Sequence, residues 1–339
     1  MKQVTSKTEF QTVTFPFTNS ISIESSYETI TDTANLIIPK KINFRDENGD
    51  NVENIASGEN AVFKRGDTVK ISLGYDHSLE TRFNGFIAGV RTKFPLEFSL
   101  EDETYFLKQN SITLALKNPT LTELMDQVIP DGINYTIHAK FNLGDFRITK
   151  ASTAEILNEL RKKHGIYSWF RDGVLNIGLA VVPGLQNVVR FTMFKDIIDA
   201  NNLQFINDFD RELKVVAKSI KDDNTELTAT AGDKSGETRT VYFYNIESIE
   251  DLQKIADSKV GQLKYSGYEG DFLVFGDRFV NHGDIVEIVN PQIPEQSGAY
   301  ICDKVVTECG MDGVRQSISI KQKVYDLIKN TSGEWIGDK

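Results

Sequence analysis

The chain has 339 residues, 40% of them hydrophobic and 26% charged, the balance of an ordinary soluble globular protein with room for two or three cores. Its formal charge of −11 argues against binding through phosphate contacts, to nucleic acid or to an anionic membrane, because those need clustered Lys and Arg. Met1 to Glu9 is polar, so no secretory leader is expected, and no run approaches the roughly 18 apolar residues of a membrane span.

The first hundred residues read as β. In "TVKISLGYD" Val69, Ile71, Leu73 and Tyr75 alternate with Thr68, Lys70 and Ser72. "RFNGFIAGV" and "LEFSLEDE" follow as strands, and the polar stretch Asp46 to Asn60 reads as an exposed loop. Near Asn110 the pattern changes. "TLTELMDQVI" is a short amphipathic helix. "STAEILNELRKKHG" is the best helix in the chain: Ser152 and Glu155 form a capping box, Gly165 ends it after a basic last turn, and Ile156, Leu157 and Leu160 make its apolar stripe. It should dock on the hairpin "IYSWF-RDG-VLNIG", which turns at Asp172-Gly173, as an autonomous peripheral module, with "VVPG" as a linker after it.

From Asn187 the chain returns to β. "ELKVVAKSI", "TELTATAG" and "TRTVYFYNI" read as strands divided by polar turns, one helix begins at Ser248, strands resume to about Val324, and a polar tail carries Trp335. Cys302 and Cys309 stand seven apart in a strand-like run. That odd spacing sends them to opposite faces, which disfavours a disulfide and fits synthesis in a reducing cytoplasm.

"FKRGDTVKI" (Phe63 to Ile71) is echoed by "VNHGDIVEI" (Val280 to Ile288). In both places a polar loop follows, then a glycine opening a strand (Gly85, Gly298), then an alternating strand, "LEFSL" or "RQSISI". Two β-domains of one build explain the succession. Gly66-Asp67 and Gly283-Asp284 are then turns entering strands, where Gly tolerates positive φ and Asp bonds its own backbone.

The other chemistries fit less well. The four histidines are scattered, and His282 with Asp284 supplies too few ligands for a closed metal site, so no metal and no cofactor are expected. The pairs Gly270-Asp271, Gly276-Asp277 and Gly283-Asp284 are unevenly spaced, unlike stacked calcium-binding repeats. No phosphate-cradling glycine motif and no GxSxG occurs. The acidic groups Glu101 to Glu103 and Asp208 to Glu212 could furnish a glycosidase pair, which leaves a glycan-binding or glycan-cleaving all-β protein as the alternative function. The aromatic group Tyr265, Tyr268, Phe272, Phe275 and Phe279 lacks interleaved basic residues, so it reads as core or as a subunit interface.

The order of parts resembles the baseplate hub proteins of tailed phages, the group that includes late control protein D and the base of type VI secretion spikes, and most of all the short hubs of Bacteroidetes-type phages and prophages. The resemblance rests on "RGDTVKISLGYD", "TRFNGFIAGV", "STAEILNELRKKHGIYSWFRDGVLNIG", "LKYSGYEGDFLVFGDRFVNHGDIVEI" and "GAYICDKVVTECGMDGVRQSISI". The expected fold is mainly β (α+β). Residues 1–109 form a first antiparallel β-barrel and 110–184 a small α/β module. Residues 185–326 form a similar second barrel with a helix-bearing insertion at about 236–270, and 327–339 a C-terminal tail. The resemblance implies a non-enzymatic homotrimer at the tail tip of the virion, made in the host cytoplasm. Its two barrels per chain would form a pseudo-six-fold ring between the tail tube, or a distal tail protein, and a central spike or fibre. Tyr265, Tyr268, Phe272, Phe275 and Trp335 are the candidate interface aromatics.

Overall fold

The computed structural model describes residues 3–16, 18–38, 44–45, 51–52, 62–91, 95–138, 143–179, 186–221, 225–244 and 246–337. The fold is mainly β, α+β, and built on one fifteen-stranded sheet. Most of the polar stretch 46–60 and the VVPG linker lie outside the described residues.

The first half of the sheet orders its strands Ser20–Ser26, Thr33–Ile38, Leu96–Glu101, Ser78–Arg91, Thr68–Tyr75 and Val4–Phe10. Thr68–Tyr75 and Ser78–Arg91 form a tight hairpin, Tyr75 opposite Ser78, in which Asp76 and His77 both take positive φ (51° and 66°). That conformation matches the right-handed strand twist. The inward positions bury Ile71, Leu73, Ile87 and Phe98, and Phe10 and Phe98 both meet Phe63, with ring centroids 4.8 and 4.9 Å away. The second half orders Gln204–Ile206 and Ile197–Asp199, then Gly267–Phe275, Gly313–Lys329, Gly298–Gly310, Ile285–Val289 and Val188–Thr192. Its core is Phe191, Phe272, Val274, Ile288, Tyr300 and Ile318. Each half curves over a core of its own.

Neither half closes into the expected barrel. The sheet stays open, and the halves are joined edge to edge because Ser20–Ser26 pairs on one side with Thr33–Ile38 and on the other with Gly298–Gly310. One strand cannot both close its own barrel and serve as the bridge. The halves also differ at one end: Val4–Phe10 runs antiparallel to its neighbour, whereas Val188–Thr192 runs parallel to Ile285–Val289.

The α/β module has its own core. The helix Thr153–His164 starts from the Ser152/Glu155 capping box and ends at Gly165, whose φ is +64°. Ile156, Leu157 and Leu160 are buried with Ile166, Leu175 and Ile177 of the hairpin. The hairpin turns at Asp172 and Gly173, both at positive φ, and gains a parallel third strand, Tyr135–Ile137. A second capping box, Thr120 with Glu123, opens the helix Leu121–Val128. The module is not peripheral. Trp169 packs with Tyr27 and Ile301 between the two halves, and Arg161 reaches Glu28 at 2.8 Å.

Two further expectations give way. The strands Leu213–Ile220 and Glu226–Gly232, expected in the second barrel, join Glu237–Tyr244 in a separate three-stranded sheet, with Leu213–Ile220 central. Ala217, Ala229 and Ala231 line its inner face, and those small side chains let Leu252 and Ala256 of the helix Ile249–Leu263 seat directly on the sheet. The insertion therefore begins ahead of Leu213, and Gly267–Phe275 belongs to the main sheet. The C-terminus is a strand rather than a tail: Gly313–Lys329 turns back at Gly333, and Trp335–Gly337 pairs with Leu327–Lys329. The strand runs past the expected end at Val324 because Tyr325 and Asp326 still pair with Ala299 and Gly298, and Leu327 beyond them is buried.

Candidate functional site at the seam of the two halves

The two Gly-Asp turns are built alike. Gly66 (φ +92°) donates its N–H to the carbonyl of Ile87, and Ile87 returns its own N–H to the carbonyl of Asp67. Gly283 (φ +85°) and Asp284 make the same reciprocal pair with Cys302. Both aspartates accept a hydrogen bond from the backbone three residues back, Lys64 N–H at 2.7 Å and Asn281 N–H at 2.8 Å. These bonds align Ile87 with Cys302, so Gly85 corresponds to Tyr300 and not to Gly298 as the sequence order suggests. A bulge falls at the same point in each half: the pairing skips from Ile87 to Gly89 in one and from Cys302 to Lys304 in the other. Beyond it Val90–Phe98 matches Val305–Ile318. The strand order and the extra residue both repeat, so the chain contains two structural repeats.

The turns differ in burial. Asp284 is fully enclosed. It also takes the Asn187 N–H at 3.2 Å, which fixes the start of the parallel strand Val188–Thr192, and Arg171 of the module stands 3.9 Å away. Around it lies a polar junction of all three cores, a cavity of about 440 Å³ lined by Ser25, Asp32, Arg82, Asp102, Arg171 and His282 among others. Ser25 Oγ lies 2.7 Å from Asp32 Oδ2 and 2.7 Å from His282 Nδ1. Burial pushes the Asp32 carboxyl up to about 7, against the hydrogen bonds from Ser25 and Ser26 that favour its charge. Burial, aided by the Arg171 charge, holds the His282 imidazole down to about 3. Below about pH 7 the pair is therefore neutral rather than ionic at its 3.9 Å separation, although 25% of the Asp32 side-chain surface remains accessible. Asp102 is raised as well, first by burial and then by Asp32, and it hydrogen-bonds Thr104. The order Asp–Ser–His is not that of a hydrolytic triad, in which the imidazole sits between acid and hydroxyl. Sequence spacing gave no signal for this junction, because Ser25 and His282 are 257 residues apart.

The remaining expected site residues separate. Along Gly267–Phe275 the alternation turns Tyr268 and Phe272 into the second core and leaves Phe275 44% exposed, so Phe275 alone of these three faces outward. Tyr268 gives its hydroxyl to Gln296 at 3.0 Å, and Tyr265 holds the Lys323 N–H at 2.7 Å under the Arg211 guanidinium. Trp335 lies half-buried beneath Lys329. Of the acidic groups, Asp102 is buried and Glu101 pairs with Lys108 at the end of the first repeat, while Asp208 to Glu212 sits at the entry to the inserted layer. Among the described residues, no group of three or more His, Cys, Asp or Glu is arranged to hold a metal ion.

No family model and no curated protein sequence matches the chain. Solved structures do. The tail protein from Neisseria meningitidis MC58 matches with a TM-score of 0.62 at 15% identity, over 95% of this chain and 97% of its own. The 43 kDa tail protein of prophage MuSo2 from Shewanella oneidensis matches with 0.60 at 16% identity, over the same shares. An E. coli component of the type VI secretion system, described as structurally similar to T4 bacteriophage tail proteins, matches with 0.57 at 8% identity, over 98% of this chain and 79% of its own. Over 95–98% of its length, the chain has the fold of these two tail proteins and of this type VI secretion component.

Proposed function

We propose that the chain is a structural, non-enzymatic hub at the tail tip of a phage or a related injection apparatus. Three copies form a ring of six repeats, which meets a six-fold tail tube or distal tail protein on one side and a three-fold spike or fibre on the other. The observation that carries this reading is the duplicated repeat, with its matched Gly-Asp turns and matched bulges. Two quasi-equivalent units per chain let three chains satisfy a six-fold neighbour, while the α/β module and the inserted layer occur once per chain and keep three-fold order. Three copies carry −33 in total, and acidic residues along a lumen would repel DNA phosphates and let DNA pass without sticking.

The test is a map of the assembled tail end, with light scattering on the purified chain. The two repeats of one chain are expected at neighbouring positions of a single ring. Their placement in separate rings, or a monomer with activity on polysaccharide, would overturn the proposal.

A further inference from the structure

The strand pair that joins the repeats within a chain has a counterpart whose two halves, among the described residues, are each left with an open edge. Within the chain, Ser26, Ser25 and Glu24 stand opposite Lys304, Val305 and Val306. Glu24 and Lys304 also form an ion pair at 2.6 Å across this seam. The shared bulge places Gly89, Val90 and Arg91 where Lys304, Val305 and Val306 lie in the other repeat. Likewise Glu24 pairs with Thr33 as Gln204 pairs with Glu269, and both partners lie at matching places on their sheets, Thr33 opposite Glu101 and Glu269 one residue before Gly270, which faces Ile320. Gln204, Phe205 and Ile206 are thus the counterparts of Glu24, Ser25 and Ser26.

We infer that these two edges pair between copies: Gln204–Ile206 of one chain adds antiparallel to Gly89–Arg91 of the next, with Ile206 opposite Gly89, Phe205 opposite Val90 and Gln204 opposite Arg91. This rests on the ring proposed above and names the contact that closes it.

Three observations support a second copy as the occupant. Gln204–Ile206 has Gly267–Phe275 as its ladder partner on one side, and among the described residues no strand is assigned to its other side. A Cβ added at Gly89 would meet nothing within 4 Å, and Val90 is half-buried and Arg91 exposed, whereas their equivalents Val305 and Val306, paired with the first repeat, are buried and half-buried. Phe194, Ile198 and Phe209 flank the Gln204 edge in sequence at 68%, 41% and 78% exposure, a density of large apolar side chains that a free sheet edge ordinarily avoids. An open ladder supplies main-chain hydrogen bonds to an added strand, and the chain already uses this mode once internally. The direction is also consistent. Repeat one offers Ser20–Ser26 to repeat two, and repeat two would offer Gln204–Ile206 to the next repeat one. Such head-to-tail contacts close into a ring.

The test is the full chain carrying Arg91→Cys and Gln204→Cys together, oxidised with copper phenanthroline after light scattering of the unoxidised protein. Opposed residues of an antiparallel pair lie within disulfide reach. The expected result is a trimer that becomes covalently closed, running as a three-chain species on a non-reducing gel, while each single variant and the offset pair Arg91→Cys with Ile198→Cys stay uncrosslinked. A trimer that does not crosslink overturns the strand pairing and leaves the ring standing. A chain that remains monomeric and uncrosslinked at its highest soluble concentration overturns both.

Discussion

The hydroxyl of Tyr75 bridges both backbone groups of Val314: it donates to the carbonyl at 2.9 Å and accepts from the N–H at 3.1 Å. Tyr75 ends the Gly-Asp strand of the first repeat, and Val314 opens the longest strand of the second, so one side chain ties the hairpin end of one repeat to the other. Val314 is fully buried, and its carbonyl has a second donor in Gly276, but removing the hydroxyl takes a partner from its N–H. Tyr75→Phe should cost about 1–3 kcal/mol, read as a lower denaturant midpoint with an unchanged m-value.

The two turn glycines should not respond equally to substitution. Positive φ alone makes Gly66→Ala cost roughly 1–2 kcal/mol. A Cβ at Gly66 has room beside Tyr105, but at Gly283 it would run into the Tyr27 hydroxyl. Gly283→Ala should therefore cost more than Gly66→Ala, and Tyr27→Phe should recover part of the difference. A double-mutant cycle on thermal unfolding measures the coupling, and additive effects would contradict the contact.

Leu160 is fully buried among Leu157, Ile166 and Leu175. Leu160→Ala should lower stability by about 2–5 kcal/mol in a chemical denaturation experiment. A change near zero would mean that the helix does not dock on the hairpin.

The Asp32–Ser25–His282 junction predicts opposite pH slopes in two variants. Ordinary values are roughly 3.9 for Asp and 6.5 for His. Between about pH 4 and 6.5 the folded site holds one proton, on Asp32, while the unfolded chain holds one, on His282, so the pair contributes almost no net slope. Asp32→Asn exposes the His282 contribution, which is present above pH 6.5 and lost as pH falls. His282→Gln exposes the Asp32 contribution, which is present at about pH 4 and lost as pH rises towards 7. Each slope should reach up to about 1.4 kcal/mol per pH unit relative to the parent protein. Asp102 is raised first by burial, which all three proteins share, and then by Asp32; Asp32→Asn relaxes that second part, which adds to the slope of this variant in the same direction. Slopes of the same sign would refute the neutral pair.

If the Gly-Asp turns are architectural, EDTA and added calcium should leave the melting temperature unchanged. A ligand at a hundred times its dissociation constant would add about 2.7 kcal/mol, enough to raise the melt by several degrees.

Local chemistry made much of this protein legible in its sequence. The capped helix at Ser152, its stop at Gly165, the Asp172-Gly173 hairpin and the repeated Gly-Asp strand entries each depend on residues within a few positions of one another. Their backbone preferences act whatever surrounds them. What the sequence could not express was which edges meet. The open sheet, the bridging role of Ser20–Ser26 and the separate inserted sheet are choices among strands with the same alternating pattern. Long-range pairing and core shape decided them, and neither leaves a mark in local spacing. The junction at Asp32 and His282 is the sharpest case. Neither residue is unusual where it stands in the chain, and their proton balance arises only because the fold buries them against each other where three separately built parts meet.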